Sequence, residues 1–216
     1  MTRGGGRFAL RSCMILLLTF SILAVASPAD AGYTLTILNP APAAINFTKF
    51  DHFNGLHLRN LPVADLARRV KPFFQTAGYR VEDEMLMKVV PLIQVRMVTL
   101  DEAVSMGGFF FKDEIAAVPE ELVGEKMTAA ESAQAARRAY EVLSSLPGIT
   151  HELAETPMRL LADELGLKAG QLFGILRVAV TGQKVSPPLF ESMEVIGKSK
   201  VLERISRAIE ILDSLA

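Results

Sequence analysis

Tryptophan is absent from this 216-residue chain, and cysteine occurs only once, at Cys13. A single cysteine cannot form an internal disulfide. One cysteine and three histidines, at positions 52, 57 and 151, also do not make up the ligand set of a zinc finger. The chain also lacks an excess of charge, because 23 lysines and arginines balance 24 aspartates and glutamates. We therefore predict no metal site and no cofactor, and any binding of a polyanion must depend on local placement of charge.

The residue patterns of common catalytic sites are also missing. The sequence has no glycine-rich phosphate loop, no Gly-x-Ser-x-Gly turn, no His-Glu-x-x-His and no cysteine placed to act with a histidine. Neighbouring carboxylates such as Glu120 and Glu121 point to different faces of a helix, so they do not indicate an acid–base pair. We predict that the chain contains no catalytic residues.

The first 44 residues differ in composition from the rest. Three arginines precede an apolar stretch, Cys13–Ala26, and small residues follow as far as Ala31. This order of basic, apolar and small segments is typical of a signal peptide. The apolar stretch is shorter than the ~20 residues of a membrane-spanning helix, so export is favoured over a permanent anchor. Residues 1–44 are predicted to be an apolar leader.

Beyond Ile45 the pattern is helical. Apolar residues recur at helical spacing from Leu66 to Ala77 and stop at Gly78. Thr99–Glu102 and Thr128–Glu131 both match the capping box, in which a threonine hydroxyl and a glutamate carboxylate bind free amides at a helix start. The apolar run Met85–Met97 contains Pro91, which either divides two helices or, as its central position favours, kinks one.

The C-terminal part of the chain contains repeated helix start and stop signals. The pairs Thr156-Pro157 and Ser186-Pro187 predict helix starts, and the last helix is expected from about Ser199. Gly166, Gly182 and Gly197 predict helix ends. Strand patterns are absent after Ile45, so the predicted fold class is all-α.

Charge is uneven along this helical part. Residues 112–155 contain four basic and nine acidic residues, whereas residues 159–207 contain eight basic and five acidic ones. A basic surface of that size is compatible with phosphate contacts, although a solvated surface of mixed charge accounts for the counts equally well.

Several phrases occur in an order that resembles the C-terminal half of bacterial glutamyl-tRNA synthetase, a class I aminoacyl-tRNA synthetase. Leu165–Phe173, Leu176–Gly182 and Ser186–Phe190 are similar to that family's anticodon-binding region almost phrase for phrase. Upstream, three further phrases match in the same order: Thr48–Arg59, Leu92–Leu100 and Gly108–Asp113. The resemblance extends from Ile45 to Ala216 and leaves the leader out.

The resemblance implies a helical bundle or cage of the anticodon-binding type. It divides the chain into a stem-contact-like segment, residues 45–111, and an anticodon-binding-like domain, residues 112–216. The partner that it implies is the anticodon arm of a tRNA. An anticodon-binding site must splay unpaired bases and bind their edges, for which the planar, two-pronged guanidinium of arginine is suited.

The family's base-contacting positions correspond to five residues of this sequence. The resemblance places an arginine and the turn that follows it against the anticodon, with a second arginine in a Gln-x-Arg phrase, and so implies RNA contact by Arg177, Ser186, Pro187, Leu189 and Arg96. Ser186 is also expected to be the N-cap of the helix that follows. The residues alone leave a structural alternative open for both arginines, a salt bridge within the helix pack, which for Arg177 would be to Glu191 or Asp163.

The sequence also departs from the family. His52 stands where the family has tryptophan, and His57 where it usually has tyrosine. The His-Ile-Gly-His-like and Lys-Met-Ser-Lys-Ser-like motifs of the family's ATP-binding domain are absent, so the chain is not expected to activate glutamate by itself. The resemblance is therefore to a truncated or split synthetase, which in the second case acts with a separate catalytic chain in the cytoplasm.

Two alternatives stay open. The chain is either this RNA-binding module or an α-helical interaction protein, exported or associated with a membrane through residues 1–31, that has lost RNA binding. A gene fragment without a selected function is a further possibility. Export and tRNA binding exclude each other, because an exported chain no longer meets tRNA.

Overall fold

The structure of the protein is a computed structural model that describes residues 47–216. The predictions on the leader lie outside this range. About 73% of the described residues are helical and none forms a strand, so the predicted all-α fold is confirmed. No helix in the described part of the chain is long and apolar enough to cross a membrane. The elements are α1 Phe47–Asn60, α2 Val63–Thr76, α3 Asp83–Gln94, α4 Glu102–Gly107, a 3-10 helix Gly108–Phe111, α5 Pro119–Leu122, α6 Ala129–Ser145, α7 His151–Glu164, α8 Ala169–Thr181, α9 Leu189–Ile196 and α10 Lys198–Leu215.

Two groups of buried apolar side chains form the core. The N-terminal cluster comprises buried residues between Leu58 and Phe110, contributed mainly by α2, α3, α4 and the 3-10 helix. The C-terminal cluster comprises buried residues between Leu122 and Leu212, contributed mainly by α6 to α10. Ile196, in the last turn of α9, packs against both clusters. The predicted domain boundary between residues 111 and 112 stays a prediction.

Helix ends that depend on a strong local signal lie where the sequence predicts them. The Thr128 hydroxyl accepts a hydrogen bond from the Glu131 amide at 3.2 Å, and the Glu131 carboxylate accepts one from the Thr128 amide at 2.7 Å. This is the predicted capping box at the start of α6. Gly166, Gly182 and Gly197 follow α7, α8 and α9 with positive φ angles of 68°, 70° and 90°. Glycine adopts this backbone conformation without a steric penalty.

Two helix predictions near the N-terminal cluster have different outcomes. The capping box at Thr99 is half wrong: Glu102 accepts from the amides of Val98 and Thr99, but α4 begins after Asp101 and has no side-chain cap. Of the two alternatives for Pro91, the structure shows a single helix, because α3 continues through the proline without dividing.

The predicted start of α7 is wrong. The helix begins six residues before Pro157, at His151, because the Thr150 hydroxyl accepts a hydrogen bond from the Leu153 amide. Pro157 lies inside the helix, where it removes one donor, and the carbonyl that this frees belongs to Leu153, an exposed residue.

The predicted N-cap at Ser186 is also wrong. Helix α9 begins at Leu189, with Pro188 as its N-cap residue and no side-chain cap. A residue that precedes a proline avoids the helical conformation, so Pro187, which precedes Pro188, does not form the first helical residue after Ser186. The Ser186 hydroxyl instead donates to the Pro187 carbonyl at 3.1 Å.

Candidate nucleic-acid interface

Arg177 lies on α8, one turn before the helix ends at Thr181. Its side chain is half-buried, and Nη1 donates to the Ser186 hydroxyl at 2.8 Å, the Pro187 carbonyl at 3.0 Å and the Ser186 carbonyl at 3.3 Å. The turn between α8 and α9 therefore folds back over the arginine, as expected from the few residues that join the two helices. The other guanidinium nitrogens of Arg177 donate to no described residue.

Arg96 reaches the same turn from the other side. It follows the end of α3, and its Nη1 donates to the Ser186 carbonyl, which Arg177 also contacts. The end of α3 is held in place by buried Gln94, whose amide nitrogen donates to the carbonyls of Leu58 at 2.9 Å and Leu61 at 2.8 Å. We call Arg96, Arg177 and the shared Ser186 carbonyl the two-arginine site.

The two-arginine site has no neutralising partner among residues 47–216. Neither arginine forms an ion pair there, so the predicted alternative of a salt bridge from Arg177 to Glu191 or Asp163 is not formed; the Glu191 carboxylate instead lies 3.6 Å from His151. Burial lowers the pKa of Arg177, and the nearby positive charge of Arg96 lowers it further. Two uncompensated cations side by side are an arrangement that an anionic or carbonyl-rich ligand stabilises.

The turn itself divides into buried and exposed residues. Ser186, Pro187 and Leu189, three of the predicted contact residues, are buried. Val185 and Pro188 are exposed, Val185 at 80% of its surface. These two apolar residues flank Ser186 and Pro187, whose carbonyls the arginines contact, and the sequence analysis missed them. An exposed valine has no signal in the sequence alone, whereas Pro188 was part of the recognised phrase.

The uneven charge of the sequence is largely cancelled by packing. Three cations of the basic stretch pair with acids of the acidic stretch: Lys200 with Asp113 at 2.9 Å, Arg207 with Glu114 at 2.9 Å and Lys184 with Glu121 at 3.7 Å. The basic excess of residues 159–207 therefore does not form a continuous basic surface. What stays uncompensated next to the turn is the two-arginine site.

The histidines that the sequence analysis names are not part of the two-arginine site. His52 and His57 are exposed on α1, as expected for surface residues. No group of three or more histidine, cysteine or carboxylate side chains in the range 47–216 is placed to hold a metal ion.

The fold and the site together define an all-α domain that presents arginines at a turn between two helices. The family model described as anticodon binding domain matches residues 65–209. The chain belongs to the anticodon-binding domain family.

Glutamate–tRNA ligases are among the proteins that the chain is similar to. The ligase of Chloroflexus aurantiacus is 37% identical over 195 residues, which cover 86% of this chain and 39% of the relative. The ligase of Dehalococcoides mccartyi is 39% identical over 188 residues, covering 85% of this chain and 39% of the relative. The chain thus spans about two fifths of these relatives, and the predicted resemblance to the C-terminal half of glutamyl-tRNA synthetases is confirmed.

Solved structures agree. The glutamate tRNA ligase from Elizabethkingia meningosepticum, in complex with its amino acid, matches with a TM-score of 0.62 and 26% identity, over 77% of this chain and 32% of that one. The glutamate-tRNA synthetase from Elizabethkingia anophelis matches with a TM-score of 0.64 and 25% identity, over 79% of this chain and 33% of that one.

Proposed function

We propose that this chain binds the anticodon arm of a tRNA through the two-arginine site. The observation that carries the proposal is the convergence of Arg96 and Arg177 on one carbonyl without a carboxylate partner in the described chain. Guanidinium groups can donate paired hydrogen bonds to base edges or phosphates, and the exposed Val185 and Pro188 offer apolar cover for the faces of unstacked bases.

The other three predicted contact residues lie in the turn between α8 and α9 and at the start of α9, and they support the two-arginine site. Ser186 and Pro187 present carbonyls that hold Arg177 in place, and Leu189 anchors the start of α9 in the C-terminal cluster. Through them the turn acts as a rigid backing, while the two arginines and the exposed apolar residues face the RNA. Preorganisation of this kind lowers the entropy lost when RNA binds.

The activity named for the relatives belongs to proteins much longer than this chain. In this proposal the ligase activity belongs to a separate catalytic chain, for which this chain would hold the tRNA in the cytoplasm. Mass spectrometry of the native N-terminus tests the location. A mature chain that starts at Gly32 and is recovered outside the cytoplasm would contradict the proposal.

RNA binding is tested directly by fluorescence anisotropy with a glutamate-type anticodon stem-loop. The informative variant carries Arg96→Gln and Arg177→Gln together, which removes both site charges. Arg80→Gln is the matched control, because Arg80 is exposed, has no ion pair with a described residue and precedes α3, about 20 Å from Arg96 at the other end of that helix.

We expect the double variant to bind at least about tenfold more weakly, and Arg80→Gln to bind within about twofold of the unchanged chain, as for a surface substitution away from an interface. The double variant removes two charges and the control removes one, so a loss in the double variant no larger than the square of the control's factor would mean that binding reports only net charge. Absence of binding by the unchanged chain would end the proposal.

A further inference from the structure

Arg204 is a charged residue in the interior of the molecule. It lies on α10, its side chain is 4% exposed, and it forms no ion pair with a described residue. Burial lowers its pKa to about 10, against the opposing effect of the negative charges of Asp113 and Glu203, so the guanidinium stays protonated at neutral pH. A buried charge without an ionic partner is costly unless it is well hydrogen-bonded.

The hydrogen bonds of Arg204 connect three separate segments. Its Nη1 donates to the Val180 carbonyl at 2.7 Å, and its Nη2 donates to the carbonyls of Phe109 at 3.0 Å and Lys112 at 2.7 Å. Val180 lies in the last turn of α8, where carbonyls have no partner within the helix. Phe109 belongs to the N-terminal cluster, whereas α8 and α10 belong to the C-terminal cluster. One side chain thus joins the two clusters.

The two-arginine site is itself divided between the same two clusters. Arg96 follows α3, whose buried face contributes to the N-terminal cluster, and Arg177 lies on α8 in the C-terminal cluster. The distance between the two guanidinium groups therefore depends on how the clusters are held together. Arg204 binds α8 at Val180, three residues after Arg177, so it acts at the end of the helix that carries this arginine.

We propose that Arg204 is a positioning residue that sets the placement of Arg177 relative to Arg96 by linking the end of α8 to the N-terminal cluster. The inference rests on the proposed function for its consequence in RNA binding. Its structural part, the placement of Arg177, can be measured without RNA. A lysine at position 204 keeps the positive charge but has one nitrogen in place of the two that donate here, so it cannot bind both clusters in the geometry of the guanidinium.

The test compares Arg204→Lys with Arg207→Lys in the full chain. Arg207 lies one turn away on the same helix, is partly exposed and pairs with Glu114 and Glu203, so its replacement is the matched control. The first measurement is the NMR signal of the Arg177 Nε–H group, assigned by its loss in Arg177→Gln. We expect Arg204→Lys to shift this signal and Arg207→Lys to leave it in place.

The second measurement is a double-mutant cycle in stem-loop binding. We expect Arg204→Lys to reduce the preference for the glutamate-type loop over a base-substituted loop by about tenfold when Arg177 is present, and by less than about twofold in an Arg177→Gln background, because coupled residues are not additive. A residue that only stabilises the fold would lower the melting temperature and affect both loops alike in both backgrounds.

Each result decides one question. An unmoved Arg177 signal in folded Arg204→Lys overturns the positioning proposal, and so does a loss of preference of equal size in both backgrounds. If Arg204→Lys does not fold at 10 °C, Arg204 is a folding residue and the proposal is abandoned. If the unchanged chain binds no stem-loop, the proposed function fails, while the NMR signal still decides whether Arg204 positions Arg177.

Discussion

At the scale of single residues, Arg96 and Arg177 differ in how much contact with water they keep. Arg96 is exposed and donates to the Ser186 carbonyl, which Arg177 also contacts. Arg177 is half-buried and donates three hydrogen bonds through one nitrogen. A desolvated guanidinium interacts more strongly with a ligand, because water screens its charge less. We therefore expect Arg177 to contribute more to base discrimination and Arg96 more to general attraction.

Arg177→Gln is the substitution that separates these contributions. It removes the charged fork while roughly keeping side-chain length, and it should weaken binding to a glutamate-type stem-loop by about 1–3 kcal/mol, the range for a bidentate base contact. The measurement is fluorescence anisotropy with the matched loop and with loops that carry one changed anticodon base. The loss should be largest for the matched loop.

Other outcomes for Arg177→Gln have distinct meanings. If all loops bind more weakly by the same factor and the dependence on salt becomes less steep, Arg177 contacts a phosphate and does not read a base. If affinity and preference stay unchanged while the melting temperature falls, Arg177 only holds the turn at Ser186 and its assignment as a base contact is wrong.

At the scale of elements, the two threonines of the predicted capping boxes make a matched pair. Thr128→Ala should destabilise the protein by about 1 kcal/mol, because it removes the side-chain acceptor at the start of α6. Thr99→Ala should stay within about 0.5 kcal/mol of the unchanged protein, since the Thr99 side chain caps no helix. Denaturation by urea gives both values, and equal losses would contradict the observed difference between the two helix starts.

The glycines that end α7 and α8 make a second pair. Both have positive φ angles, but a Cβ atom on Gly182 would lie 2.6 Å from Ile115 Cγ2, whereas one on Gly166 would meet open space. Gly166→Ala should cost about 1–2 kcal/mol for backbone conformation alone. Gly182→Ala should cost about 1–3 kcal/mol more, because Ile115 must move.

Thermal unfolding of the two glycine variants and of the combination Gly182→Ala with Ile115→Ala separates the two causes. Relative to Ile115→Ala alone, which loses its own packing against the N-terminal cluster, the combination should recover the part of the loss that comes from the contact. No recovery would mean that backbone strain accounts for the whole effect at Gly182.

At the scale of the whole molecule, the chain has the fold of the anticodon-binding domain family, but the sequence has no motif for adenylate chemistry. We predict that the purified 216-residue chain catalyses no glutamate-dependent exchange of pyrophosphate with ATP. Radiolabelled pyrophosphate exchange is the measurement, with a mock preparation from cells that lack the chain as a control for contaminating synthetase. A specific exchange activity that stays constant through the last purification steps would contradict the prediction.

Helix positions could largely be predicted from the sequence, because caps and stops depend on residues a few positions apart. The Thr128 box and the glycines after α7 to α9 were therefore assigned correctly. The predicted helix starts are wrong at Thr156-Pro157 and at Ser186-Pro187, where the prediction depends on a proline as the start signal. There a neighbouring threonine or a second proline determined the start of the helix instead.

The sequence by itself determined the helical class, most helix ends and the family resemblance, since these depend on local pattern or on ordered phrases. Only the tertiary structure decided which charges remain uncompensated. Arg96 and Ser186 are 90 positions apart, and ion pairs between the acidic and basic stretches cancel most of the counted excess. Arg204 lies at helical spacing between the buried residues Val201 and Ala208, yet its carbonyl partners come from packing. Such contacts depend on how helices pack, which neighbouring residues in the sequence do not determine.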